Sequence, residues 1–132
     1  MRILHCIPSF GSGGAERQCA LLCAELAKRG HEVHVAYVLP CATGYLDELR
    51  QAGVRLHPLG AGLPPDIWRA QKSPRVLWRL LRVVRRERPE IVQSWNRPMD
   101  TFCGVARRVV RFPVKFLTAA SLQRTRHWSW DW

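Results

Sequence analysis

Several signatures of specialised protein classes are missing from this sequence. No apolar run approaches the roughly 18 residues that a membrane-spanning helix needs, so the pattern predicts no such helix. The short apolar stretch at the N-terminus leads directly into a glycine turn, and we therefore expect no separate signal peptide. The sequence shows no recognisable Ser-His-Asp arrangement and no paired-carboxylate motif. The histidines that lie in or beside predicted strands are expected to be packed rather than catalytic: His5, His31, His34 and His57.

The sequence also lacks a cysteine motif. Its five cysteines are scattered, with no Cys-x-x-Cys pair, although Cys19 and Cys23 lie four residues apart on a predicted helix. This spacing offers too few further ligands for a zinc site, so no metal site is predicted. We expect the cysteines to act as small buried hydrophobic residues in a reducing cytosol.

Acidic residues are scarce, and the resulting charge is unevenly distributed. The formal net charge is +11, and residues 71–132 carry 14 of the 21 basic side chains but only 4 of the 10 acidic ones. Such an excess of one sign predicts an anionic partner or an anionic surface. A length of 132 residues with 47% hydrophobic content is enough for one globular domain with a core.

The most informative stretch is a glycine turn at residues 10–17, Phe-Gly-Ser-Gly-Gly-Ala-Glu-Arg, between a predicted strand and a predicted helix. Glycine lets a ligand approach the backbone closely. The start of the following helix offers unpaired N–H groups and a positive dipole end, which suit a phosphate. The turn completes no standard nucleotide motif, because Glu16 replaces the third glycine of Gly-x-Gly-x-x-Gly and no Gly-Lys-Ser/Thr follows. A tight turn that merely joins strand to helix remains the alternative.

The rest of the chain alternates between strand and helix patterns. This alternation favours parallel strands joined by right-handed helical crossovers. We therefore predict an α/β fold, a Rossmann-like three-layer sandwich with a mainly parallel sheet. Ligands in such folds gather at the carboxyl ends of the strands, which here are followed by residues 11–17, 95–100 and 119–126. The predicted strands are 2–8, 32–38, 54–58, 90–94 and 114–118, and the predicted helices are 15–29, 45–51, 73–88 and 100–110.

Two segments carry a family resemblance: the string from Arg2 to Arg17, with its Gly-Gly-Ala-Glu-Arg turn, and the string from Leu26 to Val35, with Arg-Gly-His-Glu-Val. Together they resemble the start of retaining glycosyltransferases of family 4, which are two-domain GT-B enzymes. The resemblance implies that residues 1–132 form the N-terminal, acceptor-side domain. The whole enzyme would transfer a sugar from a nucleotide-diphosphate sugar, as a hexosyltransferase without metal or other cofactor. The C-terminal donor domain would be missing, so we expect this segment alone to be inactive.

The resemblance also implies binding residues. Gly13 and Gly14 would lie beside the donor diphosphate or the reacting sugar, and Arg17 would pair with that ligand or with Glu16. Asp100 has a plainer alternative as a helix cap. No histidine lies between residues 114 and 126, where many family members have one, so the catalytic residues stay unassigned. The residues expected to contact the acceptor are Asn96, Arg97, Asp100, Ser121 and Arg124.

The predicted helix at 73–88 is rich in arginine. Helical spacing places Arg75, Arg79, Arg82 and Arg86 on one stripe, with the apolar residues expected on the opposite side. The stripe is either solvated or rests on anionic lipid headgroups, which suits a lipid-linked or glycan acceptor in polysaccharide biosynthesis and a cytoplasmic protein at the inner face of the cell membrane. No nucleic-acid-binding module is recognised, so nucleic acid is not expected. The alternative function is a stand-alone binding module for an anionic membrane, a partner protein or nucleic acid.

Overall fold

The computed structural model describes residues 1–10, 14–39, 44–60, 73–95, 97–110 and 115–119, with the backbone alone at 97–98 and 115–119. Strands and helices alternate within these ranges, as the sequence predicts, and most boundaries agree with the predicted ones to within one residue. The strands are β1 (Arg2–Ser9), β2 (Glu32–Leu39), β3 (Arg55–Pro58), β4 (Ile91–Trp95) and β5 (Lys115–Ala119). The helices are α1 (Gly14–Lys28), α2 (Tyr45–Gln51), α3 (Pro74–Glu87) and α4 (Arg97–Val109).

The five strands form one parallel sheet in the order β3-β2-β1-β4-β5. In β1, Ile3 is paired with Val33 of β2 on one side and with Ile91 of β4 on the other. The chain therefore winds outward from β1 to β3 and then crosses back to β4. This reversal makes the boundary between β1 and β4 the topological switch point of the sheet.

Helices cover both faces of the sheet, because alternate residues of each strand point to opposite sides. On one face, α1 and α2 pack against Ile7, Val35 and Tyr37. On the other face, α3 and α4 pack against Leu4 and Cys6. The predicted three-layer α/β sandwich is thus confirmed. The cysteines among the described residues are buried and free, as expected: Cys6, Cys19, Cys23 and Cys103.

Helix α3 begins as its sequence predicts. The Ser73 side chain accepts a hydrogen bond from the Arg75 backbone N–H at 3.3 Å, and Pro74 occupies the first turn. None of the described helices is both long enough and apolar enough to cross a bilayer.

The start of α4 differs from the prediction. The helix begins at Arg97, so Asp100 lies within the first turn and does not cap the helix from outside. The carboxylate of Asp100 instead accepts a hydrogen bond from the Ser94 hydroxyl at the end of β4. Asp100 therefore makes a tertiary contact between α4 and β4, whereas its residue type alone predicted a local helix cap.

The arginine stripe of α3 also differs from its predicted position. Arg79 is half-buried and donates a hydrogen bond to the Leu59 carbonyl at 2.8 Å. At about 100° per residue, the stripe lies roughly 115° from the centre of the buried face, which Val76, Leu80, Val83 and Val84 form. Trp78, which is 59% exposed, lies opposite the buried face instead. The prediction that the stripe opposes the apolar face is wrong: the stripe flanks that face, and its member Arg79 contacts the Leu59 carbonyl just after β3.

Candidate functional site

The candidate site lies at the carboxyl edge of the sheet, at the switch point between β1 and β4. Strand β1 ends at Ser9 and α1 begins at Gly14, while β4 ends at Trp95 and α4 begins at Arg97. The N-terminal ends of both helices are therefore brought to the same edge of the sheet. Unpaired backbone N–H groups and the positive ends of two helix dipoles make this edge electrostatically suited to an anion.

On the α1 side of this edge, the first residue of the helix is exposed to solvent. Gly14 is exposed, and a Cβ added there would meet no heavy atom of the other described residues within 4 Å, its chain neighbours and the backbone of its own helix aside. Before the turn, Phe10 is fully buried and packs edge-on against Tyr45, with ring centroids 6.3 Å apart. The residue that leads into the turn is thus anchored in the core, while Gly14 borders space that the described side chains leave unfilled.

Arg17 is exposed in the first turn of α1. It forms no ion pair with Glu16 or with any other residue that the structure describes. The sequence analysis offers two partners for Arg17, Glu16 or the ligand. Because the ion pair with Glu16 is not formed, the Arg17 guanidinium is available to a ligand.

The β4 side of the edge is held by two polar contacts, one part-buried and one buried. One is the Ser94–Asp100 hydrogen bond, and in the other the Trp95 Nε1–H donates to His5 Nδ1 at 3.0 Å. His5 is fully buried and Trp95 is nearly so. These contacts fix the end of β4 relative to the middle of β1 and to the first turn of α4. The sequence analysis did not find the His5–Trp95 pair, because the two residues are 90 positions apart in the chain.

Behind this pair lies a buried cluster of His5, Cys19 and Cys23, whose possible ligand atoms are all within 4.8 Å of one another. The two sulfur atoms are 3.9 Å apart. The hydrogen bond from Cys19, together with His5, lowers the pKa of Cys23 to about 6 in spite of its burial. His5 Nδ1 is already engaged as the acceptor of the Trp95 indole N–H, which leaves the ring one nitrogen for any further partner.

A second cluster lies near the amino ends of the strands, toward the edge of the sheet opposite the candidate site. His34 of β2, His57 of β3 and Glu87 of α3 have ligand atoms all within 4.8 Å of one another. His34 Nδ1 and His57 Nε2 are hydrogen-bonded at 2.9 Å. Burial lowers the pKa of His34, and it lowers the pKa of His57 to about 4, so both rings are neutral at pH 7.

The structure thus brings Gly14, Arg17 and Asp100 to one edge of the sheet, as the sequence predicts for a shared site. Arg97 opens α4 at the same edge. The remaining predicted contacts lie outside the described residues: Gly13, Asn96, Ser121 and Arg124.

Comparison with known proteins agrees with this architecture. The family model described as Glycosyltransferase Family 4 matches residues 12–129. A glycosyltransferase structure from Rickettsia africae ESF-5 is 14% identical and aligns over 96% of this chain and 33% of its own, with a TM-score of 0.63. No curated protein sequence matches the chain significantly.

Two further solved structures share the fold. The calicheamicin glycosyltransferase CalG4 is 19% identical over 99% of this chain and 36% of its own, with a TM-score of 0.53. The glycotransferase of kitacinnamycin is 16% identical over 98% of this chain and 34% of its own, with a TM-score of 0.54. The chain therefore spans about a third of the length of each of these structures. Because the family match covers most of the sequence and the fold is that of the N-terminal half of GT-B enzymes, this chain belongs to Glycosyltransferase Family 4.

Proposed function

We propose that this chain is the N-terminal, acceptor-side domain of an enzyme that transfers a hexose from a nucleotide-diphosphate sugar with retention of anomeric configuration. The observation that carries the proposal is the exposed helix start at Gly14, where α1 begins at the switch point of the sheet. The leaving diphosphate gains negative charge in the transition state. Backbone N–H groups and Arg17 would stabilise that charge without a metal ion.

The acceptor would approach from the β4 side of the same edge. A single residue separates the end of β4 from the start of α4, and the Ser94–Asp100 hydrogen bond holds this start in place. Arg97 and Asp100 would then orient acceptor hydroxyl groups, together with Asn96, Ser121 and Arg124. Orientation of two substrates across one crevice is a large part of what such an enzyme must supply.

The direct test is a transfer assay on the full-length enzyme that contains this domain, with a panel of nucleotide sugars and with NMR of the product's anomeric configuration. We expect retention, and activity in the absence of added divalent metal. Arg17→Gln should lower kcat/KM on the order of 10- to 100-fold, because a charge that stabilises the leaving group is lost. Arg29→Gln removes the same charge from the other end of α1 and should leave kcat/KM unchanged.

Inversion of configuration, or equal effects of the two arginine substitutions, would contradict the proposal. The 132-residue segment alone should bind nucleotide sugar weakly or undetectably in calorimetry, because the closing second domain supplies much of the site. A micromolar dissociation constant for the segment alone would show that the donor site is contained within this domain.

A lipid-linked acceptor at the inner face of the cell membrane is supported by the outer face of α3. Trp78 is 59% exposed there, and the Arg82 guanidinium lies 5.5 Å from the centre of its ring. Arg75, Arg82 and Arg85 are exposed on the same helix, whereas Arg79 and Arg86 contact Leu59 and Glu87. An exposed tryptophan among arginines suits the headgroup region of an anionic bilayer.

Flotation with phosphatidylcholine vesicles, with and without phosphatidylglycerol, tests this membrane site. The double substitution Arg82→Gln and Arg85→Gln should weaken binding to acidic vesicles roughly 30-fold, since each basic residue contributes about 1 kcal/mol near such a surface. Arg29→Gln with Arg50→Gln changes the net charge equally on exposed side chains of the opposite layer. If both double variants lost vesicle binding equally, or if binding did not depend on acidic lipid, α3 would not be a specific membrane-binding face.

A further inference from the structure

We propose that His34, His57 and Glu87 form a binding site for a first-row divalent cation, with Zn²⁺ the best match. The three residues come from β2, β3 and α3, and their ligand atoms all lie within 4.8 Å of one another. Two imidazoles and one carboxylate form a donor set that zinc binds in proteins, with a fourth position left for water. The site lies toward the amino ends of the strands, away from the glycine turn, so it is independent of the proposed transfer reaction.

An unsatisfied buried nitrogen points to a missing partner at this site. His34 is fully buried, and its Nε2 has no hydrogen-bond partner among the described residues. The nearest acidic atoms are Glu32 Oε1 at 3.6 Å and Glu87 Oε2 at 3.9 Å, both beyond hydrogen-bond distance. Buried polar atoms are nearly always paired in folded proteins. A cation between this nitrogen and the carboxylate would satisfy both atoms at once.

The distances require only side-chain adjustment. Zinc holds nitrogen and oxygen ligands at about 2.0–2.2 Å, so tetrahedral ligand atoms lie roughly 3.3–3.5 Å apart. The 3.9 Å between His34 Nε2 and Glu87 Oε2 is slightly longer than this. The rings of His34 and His57 are stacked, with centroids 5.1 Å apart. On binding, the half-buried His57 ring would give up its hydrogen bonds with His34 and with Arg86 Nη2, which lies 3.5 Å from His57 Nδ1, and His34 would carry its proton on Nδ1 so that Nε2 is free to ligate.

Neighbouring charges leave the ligand oxygen available. Arg86 Nε binds the other oxygen of Glu87, Oε1, at 3.0 Å. Arg55 Nη1 forms an ion pair with Glu32 Oε1 at 3.3 Å. Both nearby guanidinium groups are therefore neutralised by a carboxylate, and Glu87 Oε2 still faces His34. Glu32 is close enough to His34 to provide a further carboxylate at the rim of the site.

The test is a titration of the full chain, stripped with a chelator, with Zn²⁺ by calorimetry and with Co²⁺ by visible absorption. We expect a single equivalent of Zn²⁺ to bind in the micromolar range and to raise the melting temperature. Tetrahedral Co²⁺ bands without sulfur-to-metal charge transfer should appear. Glu87→Gln, which keeps the side-chain shape, should weaken binding more than about 10-fold. Glu25→Gln removes an exposed carboxylate elsewhere and should have no effect.

His57→Asn provides a second variant, because His57 is only half-buried on the edge strand β3 and asparagine keeps a hydrogen-bonding side chain beside His34. It should weaken Zn²⁺ binding to a similar extent, with the circular dichroism spectrum unchanged. Failure of Zn²⁺ to bind below millimolar concentration would overturn the proposal. So would binding that survives both substitutions, or binding that is lost on Cys23→Ala with sulfur charge-transfer bands, which would assign the ion to the thiol cluster.

Discussion

Replacement of Trp95 by phenylalanine tests how the candidate site is held together. The substitution removes the indole N–H that His5 Nδ1 accepts at 3.0 Å, in a pair that is 9% and 0% exposed. A buried acceptor left without its donor costs about 1–3 kcal/mol. The smaller ring adds about 1 kcal/mol in lost packing. We therefore expect the free energy of unfolding to fall by about 2–4 kcal/mol, measured by urea denaturation.

The chain offers a matched control for this prediction. Trp78 is 59% exposed, and its replacement by phenylalanine should change stability by less than about 0.5 kcal/mol. A double-mutant cycle with His5→Leu isolates the pair, and a coupling free energy above about 0.5 kcal/mol is expected. If Trp95→Phe and Trp78→Phe were equally harmless, or if the cycle were additive, the buried hydrogen bond would not support the end of β4 as we describe.

Three further substitutions test the fold around the site. Gly60→Ala would drive a Cβ into the carbonyl oxygen of Val38, well inside van der Waals contact, so we expect it to destabilise the protein by more than about 3 kcal/mol in denaturant titration. Gly104→Ala, in mid-helix with nothing within 4 Å of the added atom, should instead stabilise by up to about 1 kcal/mol in the same assay. Ser73→Ala removes the acceptor for the Arg75 N–H and should lower the melting temperature by an amount equivalent to about 0.5–2 kcal/mol. A destabilising Gly104→Ala or a neutral Gly60→Ala would show that the backbone packs differently there.

Much of the fold was predictable because local signals agree with the tertiary arrangement. Helix α2 spans Tyr45–Gln51, as predicted, and the Ser73-Pro74 start of α3 follows from capping chemistry alone. The strands read as continuous apolar runs because helices cover both faces of the sheet.

What the sequence could not predict depends on contacts between distant segments. The start of α4 was predicted too late, because Asp100 resembles a cap and its actual partner, Ser94, is set by tertiary structure. The arginine stripe was misplaced because helical periodicity does not reveal how far a helix is rolled on the sheet, and Arg79 turns toward the Leu59 carbonyl. The cluster of His34, His57 and Glu87 spans three elements, so no spacing in the sequence indicates it.

We propose that a nucleoside diphosphate binds where α1 begins, at the switch point between β1 and β4. Hydrogen exchange followed by mass spectrometry on the full-length enzyme, with and without nucleoside diphosphate, measures this directly. We expect slower exchange of the backbone amides at residues 14–17 and in the first turn of α4 when the ligand is present. Unchanged exchange at these amides, with protection confined to α3 or to the opposite edge of the sheet, would contradict it.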